Sequence, residues 1–515
     1  MTQTRRLTGG LIDRQRPLNF EFDCRKYTGY QGDTLASALL ANGVQLMGRS
    51  FKYHRPRGPF SSGSEEPNAI VELREDARKE PNTRATTIEL YDYLIAKSQN
   101  RWPSLGFDMM AVNDLFSNFL TAGFYYKTFM WPAAFWEKLY EPIIRRAAGL
   151  GSASLEPDPD CYDKGFLHCD LLIIGGGPAG LAAALVAGRA GLDVILADED
   201  FLIGGRLNQE SFSLDDQAGS VFAASCYEEL TSLPNVRIMT RTTVIGAFDH
   251  GIYGMVERVA DHLKVPADGQ PRQRLWRVYS QFALLCAGAT ERSIAFENND
   301  RPGIMLAGAM RAYANRWATA VGDRIAIFAN NDDAHRTAHD LHQLGVEIAA
   351  VIDSRPEAPK SDNFEVLTKS KVENTHGRLG INSIDVKTPQ GLRQIQVSAL
   401  GVSGGWNPNI HLTCHQRGRP EWDAALSAFV PSSDLPKALY VAGAANGKMT
   451  TAAAMQDAVT TAIKIVKDCG RKPTSLTVPK TSDESASVTP FWYVTGTERG
   501  WVDQQNDVTV KDIKL

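Results

Sequence analysis

The stretch Asp170-Leu-Leu-Ile-Ile-Gly175-Gly-Gly177-Pro178-Ala179-Gly180-Leu-Ala-Ala-Ala184 reads as an apolar strand, a glycine-rich turn and the start of an Ala-rich helix. The glycines answer to different physical needs. Gly175 permits the tight turn, Gly177 lets backbone N–H groups approach a pyrophosphate at the helix N-terminus, and Gly180 lets helix and strand close up. A G-x-G-x-x-G turn alone is a weak signal, so its surroundings decide. A second strand, Asp193-Val-Ile-Leu-Ala197, ends in the acids Asp198, Glu199 and Asp200, at the spacing where a carboxylate accepts ribose hydroxyls. Adjacent acids there disfavour a 2′-phosphate, which points to the adenosine of NAD or FAD over that of NADP. Next, Ile203-Gly204-Gly205-Arg206 offers backbone donors and a guanidinium to the diphosphate. Together these elements predict a bound dinucleotide.

Further segments fit the same site. Asn235 to Gly246 reads as a strand whose backbone near Val244 would pair with the adenine edge, and Phe282 to Glu291 carries the chain out of the nucleotide domain through Ala287-Gly288. Cys286 inside that apolar strand reads as a small buried hydrophobe. The plan recurs at 323 to 353, with a strand Arg324–Phe328, a helix from about Asp333 to Leu344 and a strand Val346–Ile352. Its turn, Ala329-Asn-Asn-Asp-Asp-Ala334, has no glycine, and its acids would repel a pyrophosphate. This second unit is expected to bind no dinucleotide. The closing strand, Ala438-Leu-Tyr-Val-Ala-Gly443-Ala444, leads into a helix whose N-terminus, Met449 to Thr451, should face the middle of the cofactor. FAD-binding proteins of this plan commonly place an Asp after that glycine for the ribityl chain; Ala444 stands there, which favours NAD.

The 515 residues carry a formal charge of −4, with 43% hydrophobic and 22% charged residues. That usage excludes a disordered, collagen-like or disulfide-scaffold chain and argues against nucleic-acid binding by bulk electrostatics. The seven cysteines, Cys24, Cys161, Cys169, Cys226, Cys286, Cys414 and Cys469, form no C-x-x-C pair, so zinc, a cluster and disulfide-reductase chemistry are not expected, and a reducing cytoplasm is the natural setting. The ten histidines show no metal-ligand spacing. Neither the polar N-terminus nor Phe119 to Trp136, interrupted by Lys127 and Pro132, supplies a signal peptide or a membrane span. The latter reads as an aromatic packing segment.

Ahead of the fingerprint, the alternation Leu18-Asn-Phe-Glu-Phe22 predicts a strand, Gly29 to Gly32 a turn, and Asp33 the N-cap of a helix stopping at Asn42-Gly43, with a short strand at Ala69–Leu73. The basic loop Arg49-Ser-Phe-Lys-Tyr-His-Arg-Pro-Arg57 reads equally as a solvated loop or a binding surface. This order resembles the ferredoxin-like β-grasp fold, but the loop from Gly58 to Ser64 has no cysteine where cluster ligands would stand. The expected fold is therefore α/β, a Rossmann-like two-dinucleotide-binding-domain chain of the pyridine nucleotide-disulfide reductase kind behind an α+β β-grasp domain. Its expected parts are β-grasp 1–96, an aromatic and Pro-rich connector 97–165, nucleotide domain 166–295, degenerate second unit 296–400, the nucleotide domain's return 401–475 and a tail 476–515.

Across nearly its whole length the chain resembles the α subunit of heterotetrameric sarcosine oxidase. The resemblance rests on Gly32–Gly43, Arg49–Gly58, Glu65–Ala69, Gly123–Trp131, Gly288–Arg292, Asn299–Gly303, Val402–Pro408 and Val502–Asp507. It implies a cytoplasmic complex with β, γ and δ subunits that demethylates sarcosine, a secondary amine. NAD would lie on this chain, FMN between α and β, and FAD on β, with peroxide and a tetrahydrofolate-linked one-carbon unit as products. It further implies an aminomethyltransferase-like, folate-binding domain beyond Asp507, so the chain reads as a truncated or split α subunit whose catalytic residues cannot be assigned. Two alternatives stay open: the α subunit of an opine, proline or other amino-acid dehydrogenase complex, and a non-catalytic dinucleotide-binding assembly scaffold.

Overall fold

Period-two alternation puts Phe20 and Phe22 on one face of β1 (Asp13–Phe22), where both are buried, and leaves Asn19 in solvent. In the computed structural model, which describes residues 3–117, 131–147, 151–482 and 487–514, β1 is the second strand of a five-stranded mixed sheet. Its partners are β2 (Arg25–Gln31), followed by α1 (Leu35–Ala41), then β3 (Ile70–Leu73), β4 (Glu80–Arg84) and β5 (Leu94–Ser98), in the order β2-β1-β5-β3-β4. Helix α1 buries every one of its residues. Thr34, not the expected Asp33, is its N-cap: Thr34 and Ser37 cap one another reciprocally, while Asp33 accepts the Tyr30 N–H at 2.9 Å and pairs with Arg6 at 2.8 Å. Asn42 ends the helix and Gly43 follows at φ +79°, as the sequence predicts. The aromatic segment expected over 119–136 falls, up to residue 130, outside the described residues.

The chain divides into two compact units, Met1–Pro159 with Ser293–Gly404 and Pro490–Leu515, and Asp160–Arg292 with Gly405–Thr489. The second unit holds the fingerprint. It opens with β6 (Tyr162–Ile174), α2 (Pro178–Arg189), β7 (Val194–Ala197) and α3 (Gly219–Ser232), and continues with β8 (Val236–Met239), β9 (Thr242–Phe248), β10 (Ile252–Glu257) and β11 (Gln273–Leu285). Strands β8-β7-β6-β11 run parallel, and β10 and β9 add an antiparallel meander. The run expected as one strand over 235–246 is two, because the chain turns at Arg241 with φ +54°. On α2, Ala179 through Gly188 are all buried, and each of Leu181, Leu185 and Val186 contributes roughly 1.5–3 kcal/mol by leaving water.

Within the first unit, β12 (Ile304–Leu306), α4 (Ala307–Trp317), β13 (Arg324–Ala329), α5 (Asp333–Gln343), β14 (Glu347–Asp353), β15 (Val366–Leu367) and β16 (Ala399–Ser403) form the second α/β plan. Its five-stranded sheet has the parallel order β12-β16-β13-β14-β15. The second unit closes with β17 (Leu439–Val441), parallel to β11, and α6 (Thr451–Asp468).

The structure corrects the basic loop, which is neither solvated nor a surface. Arg55 makes a bidentate pair with Asp300 at 2.7 and 2.8 Å, and Arg57, 1% exposed, pairs with Asp507 and lies 3.3 Å from Asp300. Flanked by two guanidiniums, Asp300 has its pKa held at about 2, against the pull of burial. The Asp507 carboxylate also accepts the Lys52 and Tyr53 N–H groups at 2.8 and 3.1 Å, so the loop and the Trp501–Asp507 segment form one buried ionic joint.

Candidate dinucleotide site

The glycine turn joins the C-terminal end of β6 to the N-terminus of α2. A Cβ at Gly175 would stand 2.5 Å from the Cys286 carbonyl oxygen, and one at Gly180 only 1.9 Å from that of Gly175, so neither position has room for a side chain. A Cβ at Gly177 would meet nothing within 4 Å. The turn is thus tight on the strand side and open on the side where a pyrophosphate would approach, with Pro178 at the first helical position and Ala179 behind it. Gly205 comes close to this opening, since a Cβ there would lie 3.1 Å from the Gly177 Cα. Beside it, Gly204 donates its N–H to Gly176 O at 3.0 Å.

At the end of β7, the Asp198 carboxylate accepts N–H groups from Gly176 and Asp200, which ties the acid to the fingerprint turn itself. Burial, reinforced by the Asp200 charge, pushes its pKa up to about 7. Glu199 is exposed. Asp200 accepts the Arg241 N–H at its carbonyl at 2.9 Å, which joins the acids to the β8–β9 turn. Val244 pairs with Met255 next to a register shift in the β9–β10 hairpin.

Arg206 reaches across the fold, its Nη1 donating to Met449 O at 2.9 Å and its Nε to Glu210 at 2.7 Å, and so links the Gly-Gly-Arg turn to the start of α6. That helix is capped by the Thr450 hydroxyl, which accepts the Ala453 N–H at 3.3 Å; Thr451, its first residue, is buried. Ala444 lies in the turn after β17, and Ala287 and Gly288 in the turn after β11. Cys286 is buried, and burial pushes its thiol pKa up, the environment of an inert cysteine.

Two organising residues escaped the sequence reading. Asn409 bridges the crossing turn, donating to Ala287 O at 2.9 Å and accepting from the Thr290 hydroxyl at 2.8 Å. Asp457 on α6 accepts the Gly443 N–H at 3.0 Å and the Asn446 side chain at 3.1 Å. Asn409 lies in Trp406-Asn-Pro-Asn409, which has no local signature, whereas Asp457 is the one acid between Met449 and Lys467 and could have been flagged.

In the second α/β plan the corresponding region is filled by the chain's own charges. Asp353 at the end of β14 receives His335 at 2.7 Å and Arg355 at 2.8 Å, and Arg355 also pairs with Asp332 at 2.8 Å. Arg311 pairs with Asp333 at 3.0 Å. The turn acids therefore act by engaging neighbouring cations, rather than by the bare repulsion expected from the sequence.

In the β-grasp module, the loop from Gly58 to Ala69 is organised by one buried carboxylate. Glu66 accepts the N–H groups of Phe60 (2.8 Å), Ser61 (2.7 Å), Asn68 (2.7 Å) and Ala69 (2.9 Å), and the Ser61 hydroxyl at 3.3 Å. The loop in turn accepts the Tyr313 hydroxyl at Ser61 O (2.9 Å) and the Leu306 N–H at Phe60 O (2.8 Å).

Residues 170–260 match a family described as FAD dependent oxidoreductase, and residues 15–101 one described as 2Fe-2S iron–sulfur cluster binding domain. The dinucleotide class fits the open cradle at Gly177. The cluster does not fit: such clusters take four ligands, mostly cysteine thiolates, whereas Cys24, exposed in the β1–β2 turn, is the one cysteine in that span. The loop's donors are also already spent on Glu66. Among solved structures, the crystal structure of L-proline dehydrogenase from P. horikoshii superposes with a TM-score of 0.61 at 18% identity, covering 92% of this chain and 81% of that one, a likeness of fold. Fold and site thus define the class: an FAD/NAD-binding oxidoreductase fold carrying a β-grasp module at its N-terminus.

Within that class the chain is related to the sarcosine oxidase α subunits. It is 50% identical to "Sarcosine oxidase subunit alpha" of Rhizobium meliloti (strain 1021) over 98% of its length and 52% of that protein. It is 32% identical to the subunit of the same name from Corynebacterium sp. (strain U-96), over 98% of its length and 50% of that protein. The chain spans about half the length of the curated relatives it matches.

Proposed function

We propose that this chain is the NAD-binding part of an α subunit in a multi-subunit oxidase that demethylates sarcosine to glycine, with peroxide and a folate-linked one-carbon unit as products. The observation that carries the reading is the open cradle at Gly177, faced by Gly205 and bounded by Asp198, on a chain half identical to a sarcosine oxidase α subunit. In it, Gly175, Gly177, Pro178, Ala179, Gly180, Gly205 and Arg206 hold the diphosphate, and Asp198, Glu199 and Asp200 the adenosine ribose. Val244 meets adenine, and Ala287, Gly288, Ala444, Met449 and Thr451 line the nicotinamide half. Ala444, lacking the carboxylate a ribityl chain would use, favours NAD over FAD. FMN would lie between this chain and a β subunit, FAD on β, and tetrahydrofolate on a folate domain outside these residues, with γ and δ subunits completing a cytoplasmic complex.

The test is to release the bound dinucleotide by denaturation and identify it by mass, then follow oxygen uptake with sarcosine in the presence of the partner subunits. NAD with sarcosine-dependent uptake supports the reading; FAD overturns the cofactor assignment, and no uptake overturns the activity. One observation favours a second reading, a dinucleotide that never turns over: Asp198 and Asp457, the carboxylates tied to the two turns, are spent on backbone N–H groups. Reduction of the bound nucleotide at the rate of turnover would refute it. Among the described residues no helix is long and apolar enough to cross a membrane.

A further inference from the structure

Strands β9 and β10 and the first halves of β11 and β6 lie side by side in the fingerprint unit, and period-two alternation sends one set of their side chains inward and the other outward. Inward go Tyr253, Met255 and Val278, which are buried in one core cluster. A sheet face turned to water ordinarily carries polar residues. Here the outward face instead holds Phe166, Leu275, Tyr279 and Phe248, joined by Ile245 at the register shift in β9, and all five are exposed, from 37% at Tyr279 to 60% at Phe166.

The backbone is shaped to hold this face. Phe248 lies across Gly246 of its own strand and Gly254 of β10: a Cβ at the first would stand 2.9 Å from its ring and one at the second 3.3 Å. Tyr279 stacks on His168 and on Phe166, with ring centroids 5.1 and 6.4 Å apart, and the Arg277 guanidinium lies 6.0 Å from the Phe166 centroid. Rings held in this way have little conformational entropy left to lose when something covers them. Lys164 and Arg277 also stand at outward positions of these strands, and among the described residues those positions hold no carboxylate. The acids of the same strands turn to the other side, Asp163 pairing with Arg274 at 2.9 Å and Glu257 accepting the Trp276 Nε1–H at 2.8 Å.

We propose that this face docks another subunit of the oxidase, through an apolar patch that sets carboxylates against Lys164 and Arg277. Aromatic residues with an arginine among them are the composition of an interface centre, and a contiguous apolar patch in water marks an interaction site. A second copy of this chain is the poorer occupant: a two-fold contact sets a face against itself, which here brings cations together with no acid to meet them. A lipid surface asks for a cluster of roughly four or more cations beside the apolar residues, which this face lacks. The proposal rests on reading the chain as one subunit of a larger oxidase.

The test uses the full chain co-expressed with the β, γ and δ subunits. Zero-length carbodiimide coupling, which joins an amine to a carboxylate in contact with it, should link Lys164 to an acid of another subunit, identified by peptide mass. Phe248→Gln and Phe166→Gln should each weaken assembly roughly tenfold or more in sedimentation velocity. Arg277→Glu should weaken it more at low ionic strength than at high, because the repulsion it introduces is screened by salt. The thermal midpoint and NAD affinity of all three should match the parent. Parent-like assembly of both aromatic variants, or a complex in which Lys164 is neither linked nor shielded from acetylation, overturns the docking site and leaves the subunit reading standing. A parent chain that assembles with none of the subunits overturns the subunit reading and the docking site with it. Self-association, or binding to phosphatidylserine vesicles, that Phe248→Gln abolishes assigns the face to a second copy or to lipid and overturns the proposal.

Discussion

Replacing Glu66 by Ala removes the acceptor for four backbone N–H groups and one hydroxyl in a loop whose Ser61, Asn68 and Ala69 are buried and whose Phe60 is half-buried. A buried donor left without a partner costs roughly 1–3 kcal/mol, so four of them bound the loss at about 4–12 kcal/mol. Two effects lower it. The loop can open to water, and the variant sheds the cost of holding a carboxylate away from solvent, the burial that pushes the Glu66 pKa up against the four backbone donors. The expected net loss is about 3 kcal/mol. Because the donors surround a carboxylate-shaped space, formate should restore part of this loss in a saturable way, whereas chloride at equal ionic strength should not. The assay is urea denaturation of Glu66→Ala with each salt, alongside amide exchange at Phe60, Ser61, Asn68 and Ala69, which reports the loop alone. A loss below about 1 kcal/mol, unchanged exchange at those amides, or formate acting no better than chloride would rule out Glu66 as the acceptor that holds the loop. A mere packing role for the side chain would survive the first result but not the rescue.

Other consequences follow from the same geometry. The Asp198 pKa lies at about 7 in the folded chain against an ordinary 3.8, so between those values the folded state holds a proton that the unfolded state has lost. Stability should therefore fall with rising pH across that window and level off above it, by at most about 1.4 kcal/mol per pH unit. Asp198→Asn should flatten this slope in denaturation midpoints, and dinucleotide affinity, measured by calorimetry, should rise as pH passes about 7 in the parent only. Gly180→Ala places a methyl 1.9 Å from Gly175 O, so it should cost about 1–3 kcal/mol by thermal denaturation and abolish dinucleotide binding. Arg57→Ala leaves Asp507 and Asp300 short of a buried cation and should lower stability by about 3–5 kcal/mol, while Arg237→Gln, exposed on β8, serves as a near-neutral control.

Much of the fingerprint was legible because its logic is local. Gly175, Gly177 and Gly180 answer to a single turn, α2 follows within it, and the acids of β7 stand at a spacing set by one strand–helix–strand unit. The stop of α1 at Asn42-Gly43 is equally local, resting on a residue that can take positive φ. The N-cap differs by one residue from the sequence expectation because Asp33 and Thr34 are both competent caps, and Arg6 draws the Asp33 carboxylate away. The break at Arg241 was hidden for a similar reason: the Thr-Arg-Thr-Thr run has strand propensity throughout, and only its bonds to Asp200 and Arg258 turn it.

The α/β plan, the glycine cradle and the acids beside it are written in local sequence, since periodicity, glycine geometry and strand-end spacing act over a few residues. Tertiary structure alone decided the fate of the charges. Arg57 and Asp507, 450 residues apart, read separately as parts of a basic loop and of a C-terminal tail, yet they form one buried pair. Glu66 became the centre of a loop, and the cations of the second α/β plan closed on its own turn acids. The physical reason is that a charge's role depends on what lies within a few ångströms of it when water is excluded, and that is set by chain segments whose separation in sequence carries no trace of the contact.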